Sequence, residues 1–320
     1  MCIPASQLLC LSSGGNQIIL LTRKRDEIRF ASFARFAAAA ESSPWRGLWQ
    51  VRRANQNIKE GFHLILAVDI ANTTISIGCI DHKKTYFWER LTTVIGKPNL
   101  EYAIALKSIL EIYHINPSDI RGAMICSVVP PLNRTIAEAI RKITGVRSHF
   151  VGAGIKTGLN IRMDNPRAVG SDMIVNTVGS LEEHKPPIVI VDMGTATTIS
   201  VVDKNSNFIG GCILPGLRLS LDALTNGTAQ LPKISLDTPR RAIGRNTVES
   251  MQSGIIYGHA SMIDGMLSRV MEELDSSDEA SIVATGGLVK LLLPHMKHRV
   301  IYDPTLMLKG LLALYEKNAQ

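Results

Sequence analysis

The 320-residue sequence lacks the features of several large protein classes. No apolar run approaches the roughly 18 residues that a membrane-spanning helix needs, so no membrane association is expected. The five cysteines are scattered without a CxxC pair, and the histidines show no metal-ligand spacing, so we expect reduced thiols of a cytoplasmic protein. A GxxxxGK[ST] loop is absent, which excludes a P-loop NTPase, and no GxGxxG motif follows a predicted strand.

The net charge of +7 is unevenly distributed. Residues 1–62 hold nine Lys/Arg against four Asp/Glu, so this leader carries +5 and the remaining chain only +2. A nearly neutral body does not indicate a nucleic-acid partner. We expect residues 1–62 to be poorly ordered or to lie upstream of the true start. The alternative is an amphipathic or targeting helix over residues 23–40.

Hydrophobic periodicity from residue 64 onward predicts an α/β protein. Predicted strands cover 64–68, 75–80, 123–129, 188–191, 199–202, 208–213 and 281–284. Predicted helices cover 99–113, 170–183, 247–271 and 306–315, and one more follows Pro130-Pro131 and ends near 144. Asn246 and Glu249 are placed as a capping pair for the longest helix.

Two segments of the chain echo each other. Residues 68–73 (VDIANT) and 191–198 (VDMGTATT) each end a buried strand in Asp and continue through a polar turn into a second strand. This repeat predicts two related half-domains, over 63–185 and 186–320, with a ligand in the cleft between them. The division follows His184-Lys185-Pro186-Pro187, where the helical pattern breaks.

The second of these turns has the chemistry of a phosphate site. Gly194 lets the backbone approach a ligand closely, and the threonine hydroxyls and turn amides supply donors. Asp192 can hold a cation directly or through water. The glycines of Ala284–Gly287, after a predicted strand, allow a flat ring to pack against backbone, although such turns are common.

Residues 63–316 resemble the type III pantothenate kinases, which belong to the superfamily of actin, Hsp70 and sugar kinases. The resemblance rests on the order and spacing of many short motifs. These are DIANT (69–73), NP (165–166), GSD (170–172), DMGTATT (192–198), GGCILPG (210–216), TAQLP (228–232), IGRNT (243–247), SMQSG (250–254), ATGG (284–287) and DP (303–304). Together they are specific, although none of them is specific alone.

The resemblance implies a fold, an activity and partners. The fold is α/β with two ribonuclease-H-like half-domains and an interdomain cleft. The activity is ATP-dependent phosphorylation of pantothenate to 4′-phosphopantothenate, the first step of coenzyme A biosynthesis. The implied cofactors are ATP, Mg²⁺ and a monovalent cation, K⁺ or NH₄⁺. A cytoplasmic homodimer with a shared active site is implied as well.

The resemblance also implies residue roles. Asp172 would be the general base for the pantothenate hydroxyl, Asp192 would bind the monovalent cation, and Ala284–Gly287 would pack on the adenosine. The ATP-binding positions are Asp69, Ile70, Ala71, Asn72, Thr73, Thr74, Ile75, Ser76 and Thr195. The pantothenate-binding positions are Met163, Gly170, Ser171, Asp172 and Met173, with Thr247 supplied by the partner subunit.

The sequence departs from the family pattern at four positions. Ala71 replaces a glycine, Met173 replaces the arginine that would hold the pantothenate carboxylate, Ser171 replaces an alanine and Ser200 replaces an acidic residue. Arg167 or Arg245 could substitute for the missing arginine. The departures leave two alternatives open: a degenerate homologue with a nucleotide-binding or regulatory role, and a kinase of another small hydroxyl substrate.

Overall fold

The computed structural model describes residues 64–274 and 280–319, and three strands that precede them. Contacts divide the chain into residues 1–61 and 62–320. In the first unit, β1 (Leu8–Ser12), β2 (Ile18–Lys24) and β3 (Glu27–Phe30) form an antiparallel sheet. The helical alternative is therefore wrong where β2 and β3 lie. The expectation of disorder or of a later start covered all of residues 1–62 and stays a prediction; apart from these three strands, that segment lies outside the described residues.

The second unit begins with a five-stranded sheet. Its strands are β4 (Leu64–Ile70), β5 (Thr74–Ile80), β6 (Thr85–Thr92), β7 (Ile120–Ser127) and β8 (Ser148–Phe150). Helices α1 (Asn99–Ile112) and α2 (Pro130–Thr144) connect them. The strand order is β6-β5-β4-β7-β8. Strand β5 is antiparallel to both of its neighbours, β4 and β6, whereas β7 and β8 run parallel to β4. Apolar residues of alternate strand positions, such as Leu66 and Val68, pack against both helices.

A six-stranded sheet follows in the same unit. The remaining strands are β9 (Asn160–Ile161), β10 (Ile188–Met193), β11 (Ala196–Val202), β12 (Asn207–Pro215), β13 (Ser281–Thr285) and β14 (Ile301–Tyr302). The remaining helices are α3 (Ser171–Glu183), α4 (Leu217–Gly227), α5 (Thr247–Glu273), α6 (Val289–Leu292) and α7 (Leu306–Asn318). The order of the strands is β14-β13-β10-β11-β12-β9.

Both sheets repeat one topology. Numbered within each sheet, the order is third, second, first, fourth, fifth, with an antiparallel meander followed by parallel strands. Strand β9 is an additional edge strand of the second sheet. The predicted α/β fold with two related halves is confirmed. Strands β9 and β14 and helix α4 were not predicted; β9 and β14, with two residues each, are too short to show a period. The helix expected to open after Ala284–Gly287 is α6.

The C-terminal helix α7 packs mainly against the first sheet, while its first residue, Leu306, joins a core with Ile188 and Ile190 of β10 in the second sheet. Leu311 and Leu314 of this helix share a core with Ile65 and Ala67 of β4 and with Val175 of α3. The division of the body between residues 185 and 186 stays a prediction. Helix α7 follows that division in the sequence, yet it shares a core with the first sheet, which precedes the division.

Among the described residues, no helix is both long and apolar enough to cross a bilayer.

Helices α3 and α7 approach closely because glycines lie at their contact. A Cβ at Gly310 would lie 2.0 Å from the backbone oxygen of Val175, and one at Gly179 would lie 2.6 Å from the backbone oxygen of Leu306. Only hydrogen fits at these two contacts, so the middle of α3 is packed closely against α7.

We expect Gly310→Ala to destabilise the protein by about 1–3 kcal/mol, because the new methyl group forces two backbones apart. The matched control is Gly265→Ala on α5, where a Cβ meets nothing within 4 Å. That change should stabilise by up to about 1 kcal/mol. Urea unfolding of the full chain measures both, and equal stability of the two variants would contradict the packing argument.

Candidate active site

The predicted site residues come from the ends of three elements. Asp69 lies one residue before the end of β4, and Asp192 lies at the corresponding place in β10, in the middle of each sheet. Asp172 lies in the first turn of α3. The two polar turns meet directly, since Thr73 Oγ1 lies 3.2 Å from Thr195 Oγ1. The fold thus brings together residues separated by more than a hundred positions.

The first turn is held by a residue that sequence reasoning missed. Thr93, just after β6, donates its hydroxyl to the Ala71 backbone oxygen (2.7 Å) and its N–H to the Thr73 backbone oxygen (3.1 Å). The Ala71 N–H donates to the Thr74 backbone oxygen (3.0 Å). Among the described residues other than glycine, only His114 and Ser206 have positive φ. Ala71 therefore causes no left-handed strain in place of the family's glycine.

The glycines beside the second turn have a steric role. A Cβ at Gly216, which precedes α4, would lie 2.2 Å from the Thr195 backbone oxygen. Gly286 has φ +110°, and a Cβ there would lie 2.5 Å from the Met193 backbone oxygen. The backbone segments that follow β12 and β13 therefore pack against the second polar turn, at Met193 and Thr195. This packing explains why glycines recur in both sequence motifs.

Asp172 is oriented by the start of its helix. Its Oδ1 accepts a hydrogen bond from the Met173 N–H (2.9 Å) in the first turn of α3. Ser171 anchors this turn to the end of β7, since its hydroxyl donates to the Ser127 backbone oxygen (3.3 Å) and accepts from the Cys126 thiol (3.3 Å). The serine that departs from the family pattern is thus accommodated by specific contacts.

The three carboxylates lie near enough to repel one another. Burial, followed by the charges of Asp192 and Asp172, raises the pKa of Asp69 to about 7. Burial, followed by the charge of Asp172, raises the pKa of Asp192 to about 6. Arg90 opposes both shifts, and Asn176 donates to Asp192 Oδ2 (2.8 Å). Such a cluster fits bound cations, which would lower both pKa values.

The carboxylates do not form a complete metal cage. Among the described residues, no group of three or more His, Cys, Asp or Glu side chains could hold a metal ion. A divalent cation would therefore take part of its ligands from a phosphate or from water, as Mg²⁺ commonly does. The carboxylates of Asp69, Asp172 and Asp192 therefore fit a metal ion that is bound together with a nucleotide.

The raised pKa of Asp69 predicts an unusual pH dependence of stability. The folded state keeps this proton up to about pH 7, whereas the unfolded chain releases it near 3.8, so the free energy of unfolding falls as pH rises between these values. We expect Asp69→Asn to be more stable than the original protein by about 1–3 kcal/mol near pH 8, the difference shrinking toward pH 4. Urea unfolding without ligands measures it, with exposed Asp222→Asn as control. A constant difference across this range would contradict the raised pKa.

Two predicted substrate residues have no polar contact with this cluster among the described residues. Met163 and Thr247 are exposed, and no hydrogen bond or ion pair of the described residues joins either of them to Asp172. Thr247 begins α5 after Asn246, whose side chain accepts from the Glu249 N–H (2.9 Å) as the predicted capping pair requires. Arg167 and Arg245 are exposed and likewise form no such contact with Asp172 in the described part of the chain.

Comparisons of the sequence with known proteins identify its family. The sequence profile of the type III pantothenate kinases matches residues 65–269. A type III pantothenate kinase from Bacillus cytotoxicus is 39% identical over 256 residues, which cover 80% of this chain and 97% of that protein.

Two solved structures are more distant. A conserved Campylobacter jejuni protein assigned to the Baf family of transcriptional activators has TM-score 0.48 and 16% identity, over 79% of this chain and 98% of that chain. A ROK family glucokinase from Streptomyces griseus has TM-score 0.43 and 11% identity, over 79% and 98%. The profile match and the identity to the Bacillus cytotoxicus enzyme show the family. The chain belongs to the type III pantothenate kinase family.

Proposed function

We propose that this chain transfers the γ-phosphoryl group of ATP to the primary hydroxyl of pantothenate, with Asp172 as the general base. The supporting observation is the convergence of Asp172, Asp69 and Asp192, each of which comes from the end of a different element. Phosphoryl transfer depends mainly on positioning and charge neutralisation, and a carboxylate beside the acceptor hydroxyl takes up its proton.

The two turns would bind the phosphates of ATP. The hydroxyls of Thr73, in the first turn, and Thr195, in the second turn, lie 3.2 Å apart, so one phosphate group could contact both. Backbone amides of residues 69–76 would add further donors. A divalent cation bound with ATP would neutralise charge on its phosphates. The adenosine would lie on the turn 284–287, which packs beside Met193.

Asp192 would hold a monovalent cation, K⁺ or NH₄⁺. Its buried carboxylate accepts one hydrogen bond from Asn176. The other amide atom, Asn176 Oδ1, is buried without a partner among the described residues. An oxygen without a donor beside a carboxylate is suited to a cation. A comparison of activity in K⁺, NH₄⁺ and Na⁺ salts tests this role.

Pantothenate would lie against Gly170–Met173 at the start of α3, with Met163 nearby and Thr247 supplied by a second subunit. Exposed apolar side chains support the dimer: Ile243 is 83% exposed and Ile213 is 76% exposed. Leu219, Leu224 and Val248, on or beside α4 and α5, are also exposed. A dimer would cover such a surface.

Subunit mixing tests the shared site. Asp172→Asn and Thr247→Ala chains should each be nearly inactive alone. If each site takes Asp172 from one chain and Thr247 from the other, random remixing restores about a quarter of full activity, because half of the dimers then contain one intact site. No recovery, with dimers demonstrated by sedimentation, would contradict the sharing of residues.

The phosphorylation itself is tested by coupled ADP release with pantothenate, ATP, Mg²⁺ and K⁺. Pantothenate-dependent turnover supports the proposal. ATP binding without turnover would favour a degenerate homologue. This alternative arises because Met173 stands where the family has the arginine that would hold the pantothenate carboxylate. Turnover with another small alcohol only would identify a different kinase. The protein would act in the cytoplasm, where its unpaired cysteines, such as the buried Cys79 and Cys126, stay reduced.

A further inference from the structure

Arg90 reaches across the cleft from the first sheet to the second. It lies on β6, and its register partner is Ser76 on β5, which in turn is paired with Asp69 on β4. Residues directly opposite one another in a sheet point to the same face, so these three form one row. A Cβ at Gly287 would lie 2.7 Å from Arg90 Nη1. The guanidinium is therefore beside the backbone of the turn that follows β13.

The guanidinium is held in place but its charge is not neutralised by a neighbour. It stacks over Trp88, with its central carbon 4.5 Å from the ring centroid. Among the described residues it forms no ion pair within 4 Å, although its charge lowers the pKa values of both Asp69 and Asp192. A planar cation that is stacked, exposed and oriented toward two turns of phosphate-binding type is suited to bind phosphate oxygens.

We infer that Arg90 is a catalytic residue that contacts the α- and β-phosphates of ATP, between the adenosine at residues 284–287 and the transferring phosphate at Asp172. This inference rests on the proposed function for the placement of the nucleotide. Arg90 would offset the charge that accumulates on the leaving ADP during transfer. Gly287 leaves the space that the guanidinium occupies.

A purely structural role is the competing account. Arg90 could simply stack on Trp88 and support the turn at Gly287. In that case its loss would weaken the binding of every ligand that uses the turn, adenosine included. A phosphate contact instead weakens only the binding of ligands that carry the polyphosphate.

Calorimetry of the full chain with adenosine, ADP and ATP, each with Mg²⁺, separates these accounts. For Arg90→Gln we expect ADP and ATP to bind at least about tenfold more weakly, adenosine to bind within about twofold of the original protein, and kcat/KM for ATP to fall about a hundredfold. Arg90→Lys should recover part of the loss. Arg121→Gln, an exposed arginine on β7 of the same sheet, should change nothing.

Equal losses for adenosine and ATP, or no loss for either, would overturn the inference. The proposed function fails separately: Arg90-dependent ATP binding without pantothenate turnover would refute the reaction and leave the phosphate contact standing. Failure of the original protein to bind ATP at all would overturn both.

Discussion

Replacing Asp172 by asparagine should lower kcat for pantothenate phosphorylation by roughly 10²–10⁴-fold, the range that a general base contributes. The carboxylate lies in the first turn of α3, where its Oδ1 accepts a hydrogen bond from the Met173 N–H. Asparagine nearly matches its shape and can still accept the Met173 hydrogen bond, but it cannot take a proton from the substrate hydroxyl. The loss should therefore appear in kcat rather than in ATP affinity.

Three measurements make this result specific. Thermal unfolding should show that the Asp172→Asn variant is folded, and calorimetry should show that it binds ATP. The exposed Asp222→Asn on α4 serves as the matched control and should retain full activity. Retained turnover in Asp172→Asn would remove this residue as the base. Loss of ATP binding together with turnover would instead indicate a role in nucleotide binding.

Introducing arginine at Met173 should lower the KM for pantothenate by about ten- to a hundredfold, the value of a charge-assisted hydrogen bond of roughly 1.5–3 kcal/mol. Met173 follows Asp172 directly, and its side chain is only half-buried, so a longer polar side chain has space to extend. A guanidinium there would meet the carboxylate of pantothenate while Asp172 faces its hydroxyl. Repulsion at the helix N-terminus reduces the gain by only about 0.3–1 kcal/mol.

The substrate itself provides the control for this change. Pantothenol, which has a hydroxymethyl group in place of the carboxylate, should show no comparable gain with Met173→Arg. A variant that gains equally on both substrates would contradict a carboxylate contact at position 173. If the KM is unchanged, and Arg167→Ala or Arg245→Ala raises it, then one of these arginines already holds the carboxylate.

Much of the fold was predictable because the chain repeats a local pattern. The two Asp-ended strands with polar turns, at 64–80 and 188–202, were read from alternation and turn residues, and both were confirmed as antiparallel pairs. Helices of two turns or more with a clear apolar face were predicted near their observed bounds, and α4 was the exception. Strand β9, with two residues, was missed because a segment so short shows no period.

Parts of the candidate site were not predictable in the same way. Arg90 lies near the end of β6 and Thr93 just beyond it, and both matter only because that strand is paired with β5 and reaches the turns of both halves. Asn176 is an unremarkable helix residue in the sequence, yet its side chain hydrogen-bonds to Asp192, which is sixteen positions away. That Ala71 causes no left-handed strain is likewise visible only in its backbone conformation.

By itself, the sequence determined the two-part α/β body, the family and the identities of the three carboxylates. These properties depend on local periodicity and on motif order, which the chain carries residue by residue. Only the tertiary structure decided that Thr73 meets Thr195, that α7 supports α3 through Gly310, and that Arg90 extends to Gly287. Such contacts join residues more than a hundred positions apart, so they arise from packing rather than from any local pattern.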